Sequence, residues 1–291
     1  MDYQKICEQA AVAGGKAIQN IRPTKIETKD DAYVGSHAIV TDADFLSQKA
    51  ILNELAKDKE AFFVTEEIVK DAKISKRIVK SVDLNKMKSS RVYIIDELDG
   101  SSTFATGHYE WATSVGYVEN LVHLAGAVFA PKLDMLFSAA KGKGAFSESN
   151  GKKSKCQVSN NVLKNAYVIF GPDNFLTKYP VHNKLLTKLG DATRTINGNG
   201  SCALSLGLVA CGKADALVQP LQSPWDWAAG KLLVEEAGGV LLFYEMDKGR
   251  IIPIDRLEPS HYDPDKRAVG FVAGNKNIAE EIMKILLSIK A

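Results

Sequence analysis

Two acidic side chains lie three positions apart at the end of an apolar run within residues 91–104. Residues 92–95 are rich in β-branched side chains, which predicts a short buried strand. We expect this strand to end at Asp96, with Asp99 close behind it. A buried carboxylate without a counter-charge is too costly to keep. The pattern therefore indicates oxygen ligands for a divalent cation at the tip of a strand.

The residues after these acids are suited to binding an anion. Gly100 permits a tight turn of the backbone, and Ser101 and Ser102 can cap the start of a helix. The free N–H groups at a helix start favour a negatively charged group such as phosphate. A cation facing a phosphate is one interpretation of this segment. A solvated, acid-rich turn after a core strand is the other.

Further acidic residues flank apolar elements elsewhere in the chain. Glu66 and Glu67 follow the apolar run 61–65, Asp44 lies near the start of a predicted helix, and Asp226 lies in the first turn of another. Each has a purely structural explanation. Glu66 and Glu67 can form the acidic first turn of a helix, while Asp44 and Asp226 can cap their own helices. Binding a common cation is the alternative.

The type of donor limits the metals that such a centre could bind. Carboxylates without nearby histidine or cysteine favour Mg²⁺, Mn²⁺ or Ca²⁺ over zinc. Two such ions, about 3.5–4 Å apart, can bind a phosphoryl oxygen and activate a water molecule. Three or four carboxylates neutralise two divalent ions and leave room for an anionic substrate.

Composition excludes several other classes of protein. The chain has 291 residues, 45% of them hydrophobic and 25% charged, with a net charge of +2. This balance gives no reason to expect direct binding of nucleic acid or of an anionic membrane. The four cysteines show no metal-binding spacing, so we expect free thiols in a reducing compartment. The sequence shows no signal peptide and no membrane-spanning run, which predicts a cytoplasmic protein.

Hydrophobic periodicity predicts a mixed α/β protein in two parts. In residues 1–150, two helices precede a strand at 61–65, the strand at 92–96 and an antiparallel meander over 112–119, 123–131 and 135–140. Residues 70–90, rich in lysine, are expected to form an exposed excursion. In residues 151–291, strands alternate with helices, including helices at 175–189, 201–212 and 278–289 and a helix that begins at Pro224.

Three segments together resemble the signatures of the inositol monophosphatase family, which are Mg²⁺-dependent, lithium-sensitive phosphatases. They are Glu66-Glu67 after a strand, Asp96-Glu97-Leu98-Asp99-Gly100-Ser101-Ser102, and Trp225-Asp226-Trp227-Ala228-Ala229-Gly230. Residues 40–44 and 200–203 also match in order and spacing. Any one of these motifs is a weak signal, but all of them in order over nearly the whole chain form a strong one.

The resemblance implies a layered αβαβα sandwich of two sub-domains and a homodimer. The N-terminal sub-domain, 1–150, would carry most metal ligands, and the C-terminal one, 151–291, would carry Asp226 and the residues that select the substrate. Two to three Mg²⁺ ions are implied, with Mn²⁺ as an alternative. The implied residues are the metal ligands Glu66, Asp96, Leu98 (through its carbonyl), Asp99 and Asp226; the catalytic pair Asp44 and Ser101; and, for phosphate or substrate, Gly100, Ser101, Ser102, Gly200, Ser201, Cys202 and Gln219.

The implied reaction is hydrolysis of a small polyol or sugar phosphate by metal-activated water, without a phosphoenzyme. Inositol monophosphate and fructose 1,6-bisphosphate are the leading substrates. One alternative is a 3'(2'),5'-bisphosphate nucleotidase. Another is a family member that serves as a regulatory or interaction protein.

The chain departs from the family pattern at several positions. Glu97 replaces the usual proline between the two acids, and its sequence position does not reveal where its charge points. Ser101 and Ser102 replace threonines and keep the hydroxyl groups. Gln219 stands where inositol-specific members usually carry a glutamate, which weakens inositol phosphate as the natural substrate because an amide offers the ring hydroxyls different donors and acceptors.

Overall fold

The computed structural model describes residues 1–31, 35–69, 71–171 and 180–289, and in these ranges the chain forms seven α-helices and fifteen β-strands. The helices are α1 Tyr3–Ile18, α2 Asp42–Leu55, α3 Ser101–Ala105, α4 Pro180–Ala192, α5 Cys202–Ala210, α6 Pro224–Glu236 and α7 Lys276–Leu287. The strands are β1 Ile26–Asp31, β2 Gly35–Thr41, β3 Phe62–Thr65, β4 Arg91–Asp99, β5 Ala112–Glu119, β6 Val122–Ala130, β7 Met135–Ala140, β8 Gly144–Ser149, β9 Lys152–Lys155, β10 Tyr167–Phe170, β11 Thr195–Asn197, β12 Ala216–Gln222, β13 Val240–Asp247, β14 Arg250–Ile254 and β15 Val269–Gly274.

These elements stack in five layers. Helices α1 and α2 cover one face of a seven-stranded sheet, and α5 and α6 cover its other face. The same two helices contact the six-stranded second sheet, whose outer face is covered by α4 and α7. The main apolar core lies between the two sheets, around α5 and α6. The predicted αβαβα sandwich is confirmed.

The first sheet runs in the order β3-β4-β5-β6-β7-β8-β9 and is antiparallel except for the pair of β3 with β4. In that parallel pair, Thr65 lies beside Ile95. The carboxyl ends of neighbouring parallel strands lie at the same edge of a sheet, so Glu66 emerges next to Asp96. Register alone therefore brings two of the predicted ligands together.

Helix α6 approaches the first sheet closely because glycines face it. A Cβ atom placed on Gly116 would lie 3.0 Å from the backbone nitrogen of Ala229, and one placed on Gly126 would lie 3.0 Å from the Ala229 Cα atom. Such contacts are tighter than most Cβ atoms tolerate. The absence of side chains at these two positions lets the helix lie directly on the backbone of β5 and β6.

The second sheet runs in the order β11-β10-β12-β15-β13-β14. Strand β10 is parallel to β11 and β12, whereas the remaining pairs are antiparallel. Helix α6 begins directly after β12, with Ser223 as its N-cap and Pro224 at its first turn. This connection carries Asp226 from the second sheet to the first.

The predicted meander and most of the predicted strands and helices are confirmed, with two differences. Strands β8, β9 and β14 were not predicted. The described part of the segment 70–90, residues 71–90, is less exposed than expected, because Val79 and Met87 are fully buried and Ser81–Lys88 forms a 3₁₀ helix. Of the predicted helix 175–189, residues 175–179 lie outside the described ranges, and the described part belongs to α4.

One prediction about organisation stays open, namely the division of the chain at residue 150. Strand β9, at Lys152–Lys155, pairs within the first sheet. No helix in the described part of the chain is long and apolar enough to cross a membrane. The four cysteines are free thiols in the structure.

Candidate active site

Strand β4 continues three residues beyond its predicted end and is irregular over those residues. Its pairing with β5 shifts register between Asp96 and Asp99. In a regular strand, residues three positions apart point to opposite faces of the sheet. A bulge-like shift by one residue reverses this alternation. The irregular backbone therefore allows Asp96 and Asp99 to share one side of the sheet.

The structure gathers the four predicted acidic ligands, together with Glu97, which was not predicted as a ligand, into two overlapping groups. Ligand oxygens of Glu66, Asp96 and Glu97 lie within 4.8 Å of one another, and so do those of Asp96, Asp99 and Asp226. Asp96 belongs to both groups. Two three-carboxylate groups with one shared member are suited to binding a pair of neighbouring divalent cations.

Burial and mutual repulsion raise the pKa of Asp96, Glu97 and Asp226 well above the usual range of a carboxyl group. Burial raises the pKa of Asp96 well above its usual range, and the charges of Glu66, Asp99 and Asp226 raise it further. Burial likewise raises the pKa of Glu97 and of Asp226, which Arg267 partly opposes for Asp226. Bound dications would relieve this repulsion, and an all-oxygen donor set suits Mg²⁺ or Mn²⁺.

Asp99 is held by the first turn of α5. Its carboxylate accepts hydrogen bonds from the Ser201 hydroxyl, from the Cys202 N–H at 3.2 Å and from the Ala203 N–H. Burial raises the pKa of Asp99 to about 6, and these hydrogen bonds limit the increase. The predicted substrate residues Ser201 and Cys202 thus orient a carboxylate of the cluster, and both are buried.

Asp226 combines the two roles that its sequence position suggested. One of its oxygens accepts a hydrogen bond from the Ser223 N–H at 2.8 Å, which closes a capping box at the start of α6. The side chain also contributes an oxygen to the group with Asp96 and Asp99. Capping therefore fixes the rotamer of Asp226 and leaves it part of the cluster.

The predicted catalytic pair is in contact. Ser101 Oγ lies 3.0 Å from Asp44 Oδ1 and 3.1 Å from the carbonyl oxygen of Leu98. Asp44 Oδ2 accepts hydrogen bonds of 2.7 Å from both the N–H and the hydroxyl of Thr41, which makes it part of the capping box of α2. Burial, together with the charge of Glu66, raises the pKa of Asp44, and the hydrogen bonds oppose this.

A tight turn connects the acids to the predicted phosphate-binding residues. Gly100 has φ +97°, and a Cβ atom there would lie 2.7 Å from Thr103 Oγ1 and 3.2 Å from the Gly200 carbonyl oxygen. Gly200 has φ +76° and packs against the same threonine. Ser102 is exposed at the start of α3. The Gly100 and Gly200 backbones therefore lie side by side at the edge of the site.

Gln219 lies apart from the carboxylate groups, in the second sheet. It is buried, and its Oε1 atom has no hydrogen-bond partner among the described residues. A Cβ atom placed on Gly171 would overlap this oxygen at 1.4 Å, so the amide lies directly against the backbone at the end of β10. Its predicted contact with substrate stays a prediction.

Several residues of the site were not predicted. Gln48 donates hydrogen bonds of 2.8 Å to Glu97 Oε1 and to the Glu67 carbonyl oxygen, and Thr103 bonds the carbonyls of Gly100 and Glu110. Gln48 lies in the middle of α2, where its sequence context gives no sign of a polar role. Thr103 directly follows Ser101 and Ser102 in the motif, and this position could have predicted a role for its hydroxyl group in the site.

Comparison with known proteins places this geometry in a family. A sequence model of the inositol monophosphatase family matches residues 2–290. A fructose-1,6-bisphosphatase/inositol-1-monophosphatase of Thermotoga maritima is 33% identical over 207 residues, which cover 71% of this chain and 72% of that protein. A Nus factor SuhB of Xylella fastidiosa is 31% identical over 200 residues, covering 68% of each.

A solved structure supports the same placement. The extragenic suppressor protein suhB of Bartonella henselae superposes with a TM-score of 0.75 at 25% identity, over 99% of both chains. The family is metal-dependent, and the overlapping carboxylate groups are suited to that requirement. This chain belongs to the inositol monophosphatase family and is a phosphatase of that family.

Proposed function

We propose that the protein is a Mg²⁺-dependent phosphomonoesterase that hydrolyses a small polyol or sugar phosphate. The observation that carries this proposal is the pair of three-carboxylate groups that share Asp96. Glu66, Asp96, Asp99, Asp226 and the Leu98 carbonyl would hold two cations, with a third, weaker one near Asp44. Bound cations of this kind lower the pKa of a water molecule and neutralise charge on a phosphoryl oxygen.

The residues of the chain would orient the water and take up its proton. Ser101 Oγ, between Asp44 and the Leu98 carbonyl, is suited to accept a hydrogen bond from a water molecule or to donate one to it. Asp44 Oδ1 lies 3.0 Å from Ser101 Oγ, so Asp44 is placed to take up the proton of a water molecule that binds that hydroxyl. The N–H groups of Gly100, Ser101 and Ser102 would bind the phosphate at the start of α3.

The substrate is proposed from the relatives. The Thermotoga maritima relative is named for both fructose 1,6-bisphosphate and inositol 1-phosphate. The neutral Gln219 favours fructose 1,6-bisphosphate or another sugar phosphate over inositol phosphate for this chain. The predicted homodimer, cytoplasmic location and lithium sensitivity belong to the same proposal.

Phosphate release from a panel of phosphorylated metabolites tests the proposal. The panel includes inositol 1-phosphate, fructose 1,6-bisphosphate and 3'-phosphoadenosine 5'-phosphate. We expect Mg²⁺-dependent release from at least one sugar or polyol phosphate and its loss in Asp96→Asn and Asp226→Asn proteins that retain wild-type circular dichroism. Preferred cleavage of 3'-phosphoadenosine 5'-phosphate would instead identify a bisphosphate nucleotide as the substrate.

A regulatory role is the second candidate, because one relative is named a Nus factor. A family member used only as an interaction protein has no need for a complete set of acids, whereas this chain has all four acidic ligands in two groups that share Asp96. Absence of phosphate release from every compound of the panel, in the presence of Mg²⁺, would favour this second candidate.

A further inference from the structure

Glu97 is a completely buried carboxylate with an unsatisfied oxygen. Its exposed fraction is 0%, and Oε1 accepts a hydrogen bond from Gln48 Nε2 at 2.8 Å. Oε2 has no hydrogen-bond partner, and Glu97 makes no ion pair with a lysine or arginine in the described ranges. A buried carboxylate oxygen without a partner is costly, so its position calls for an explanation.

The neighbours of Glu97 increase this cost. It shares the group of ligand oxygens within 4.8 Å with Glu66 and Asp96. Glu66 and Glu67 are the charged groups that act most strongly on it, and both are acidic. Among the described side chains, the Gln48 amide is the group that opposes the rise in the pKa of Glu97, together with a backbone hydrogen bond. A cation in the group of Glu66, Asp96 and Glu97 would satisfy the unpartnered oxygen and balance the charge.

Glu97 reaches the cluster from the side of the sheet opposite to Asp226. Adjacent residues of a strand point to opposite faces. Asp96 therefore belongs with Asp226 and α6, whereas Glu97 contacts Gln48 of α2. Glu66 lies at the end of the neighbouring parallel strand, and its ligand oxygen is within 4.8 Å of those of Asp96 and Glu97. Glu97 thus supplies the carboxylate of the first group that contacts α2.

Gln48 and Ser47 fix the position of Glu97. The Gln48 amide group donates to Glu97 Oε1 and to the Glu67 carbonyl, and the Ser47 hydroxyl donates to the Glu97 carbonyl at 2.6 Å. Ser47 and Gln48 are themselves buried. Two successive side chains of α2 therefore hold both the backbone and the carboxylate of Glu97, while Oε2 has no hydrogen-bond partner among the described residues.

We propose that Glu97 is a further ligand for a divalent cation, bound together with Glu66 and Asp96 and positioned by Gln48. The inference rests on the metal centre of the proposed function and adds one anionic ligand at the position that the family usually fills with proline. Because the ligand belongs to the protein and not to the substrate, it strengthens binding of the cation before any substrate arrives.

Calorimetric titration of Mg²⁺ and of Mn²⁺ into chelator-treated full-length protein, without substrate, tests the proposal. Glu97→Gln keeps the shape and one carbonyl oxygen but removes the charge. We expect the affinity of one cation site to fall by at least about 10-fold, the order of effect found when groups around a metal are removed. A titration curve that matches that of the wild type would overturn the proposal and indicate an uncharged Glu97.

Asp58→Asn is the matched control. Asp58 is also buried and also has an oxygen without a hydrogen-bond partner, but it lies outside both carboxylate groups. We expect wild-type affinity for cations in this variant. An equal loss of affinity in Asp58→Asn and Glu97→Gln would mean that total charge, and not ligation, sets the affinity, and would also overturn the proposal.

Thermal unfolding separates ligation from a structural role. Without cation, Glu97→Gln should unfold close to the wild-type temperature, because glutamine keeps the shape of the side chain and the carbonyl acceptor for Gln48. Addition of Mg²⁺ should then raise its unfolding temperature by less than it raises that of the wild type. If Glu97 serves only to accept the Gln48 hydrogen bond, Mg²⁺ will instead raise the unfolding temperature of both proteins by the same amount.

A second variant covers the case in which Glu97→Gln fails to fold. Gln48→Ala keeps the charge of Glu97 and removes its anchor, so we expect a several-fold loss of cation affinity; unchanged affinity would contradict the proposal. Failure of the proposed function can be distinguished from failure of this inference. If the wild type hydrolyses no phosphomonoester but Glu97→Gln still binds cations more weakly than the wild type, the proposed substrate is refuted and Glu97 is supported as a ligand.

Discussion

Asp96 and Asp99 share a cluster because the backbone between them departs from a regular strand. The acids, their order and the glycine after them could be predicted, since residue types and spacing carry that information. The register shift between the two aspartates could not be predicted, because it depends on how β5 pairs with this strand. The direction of the Glu97 side chain could not be predicted either, because its hydrogen-bond partner Gln48 lies 49 residues away in the chain.

Gly100 is the residue whose conformation the site tolerates least. An alanine at this position would have to adopt φ +97°, which destabilises the folded state by roughly 1–2 kcal/mol. The same loss applies to an alanine at Gly107, where φ is +81°. A Cβ atom at Gly107 meets nothing within 4 Å, whereas one at Gly100 meets Thr103 and two backbone carbonyls. We expect Gly100→Ala to be destabilised more than Gly107→Ala in urea unfolding and to lose phosphate release. Equal midpoints in the two variants would contradict this account.

Ser101 should matter through its hydroxyl group alone. Ser101→Ala removes the oxygen that lies between Asp44 and the Leu98 carbonyl. We expect kcat for phosphate release to fall roughly 10²-fold, the lower range for a lost proton-transfer partner, with little change in KM. Ser101→Thr restores the hydroxyl and should keep most of the activity. A Ser101→Thr enzyme as slow as Ser101→Ala would exclude this role.

At the scale of elements, the sequence predicted which helices and strands exist better than how they approach one another. Ser223 and Pro224 predicted the start of α6, and Asp226 was expected in its first turn. The glycines that let this helix lie on β5 and β6 carried no such sign, since Gly116 and Gly126 fall inside strands, where glycine weakens the element. Strands β8 and β14 are short or contain proline and polar residues, which obscured their alternation.

The distance of α6 from the first sheet should set the position of Asp226. Gly126→Ala places a methyl group 3.0 Å from the Ala229 Cα atom and must push the helix outwards by a few tenths of an ångström. We expect weaker Mg²⁺ binding by calorimetry and a loss of roughly 1–3 kcal/mol in stability.

Gly190→Ala provides the comparison, because nothing lies within 4 Å of that position in α4. It should stabilise the protein by roughly 0.5–1 kcal/mol and leave Mg²⁺ binding unchanged. Unchanged Mg²⁺ affinity in Gly126→Ala would show that α6 does not need this close approach.

At the scale of the whole molecule, the cluster takes ligands from both sheets. Asp96 and Asp99 belong to β4, while Asp226 and the α5 turn that holds Asp99 follow strands of the second sheet. Contacts that bind the two sheets together therefore also support the site. His123 is one such contact: from β6 it reaches the Ala228 carbonyl of α6 at 2.9 Å and the Tyr262 hydroxyl at 2.8 Å.

The stability that the His123 hydrogen bonds give to the folded chain should depend on pH. The Ala228 carbonyl can only accept, so His123 Nδ1 carries the proton and Nε2 accepts from Tyr262. Burial, together with Lys231 and Lys141, lowers the pKa of His123 from 6.5 to about 3. Between these values the unfolded chain binds a proton that the folded chain does not. The folded state therefore loses about 1.4 kcal/mol for each pH unit below 6.5 through this group.

Comparison of the wild type with His123→Gln isolates this contribution. The raised pKa values of Asp96, Glu97 and Asp226 act in the opposite direction, since the folded, cation-free chain binds protons that the unfolded one has released. These carboxylates are common to both proteins and cancel in the difference. In urea unfolding with chelator, we expect the variant to be less stable than the wild type at pH 7.5 and the gap to narrow by roughly 1.4 kcal/mol per unit from pH 6.5 to pH 4.5. A gap that stays constant over this range would mean that His123 is protonated equally in the folded and unfolded chains.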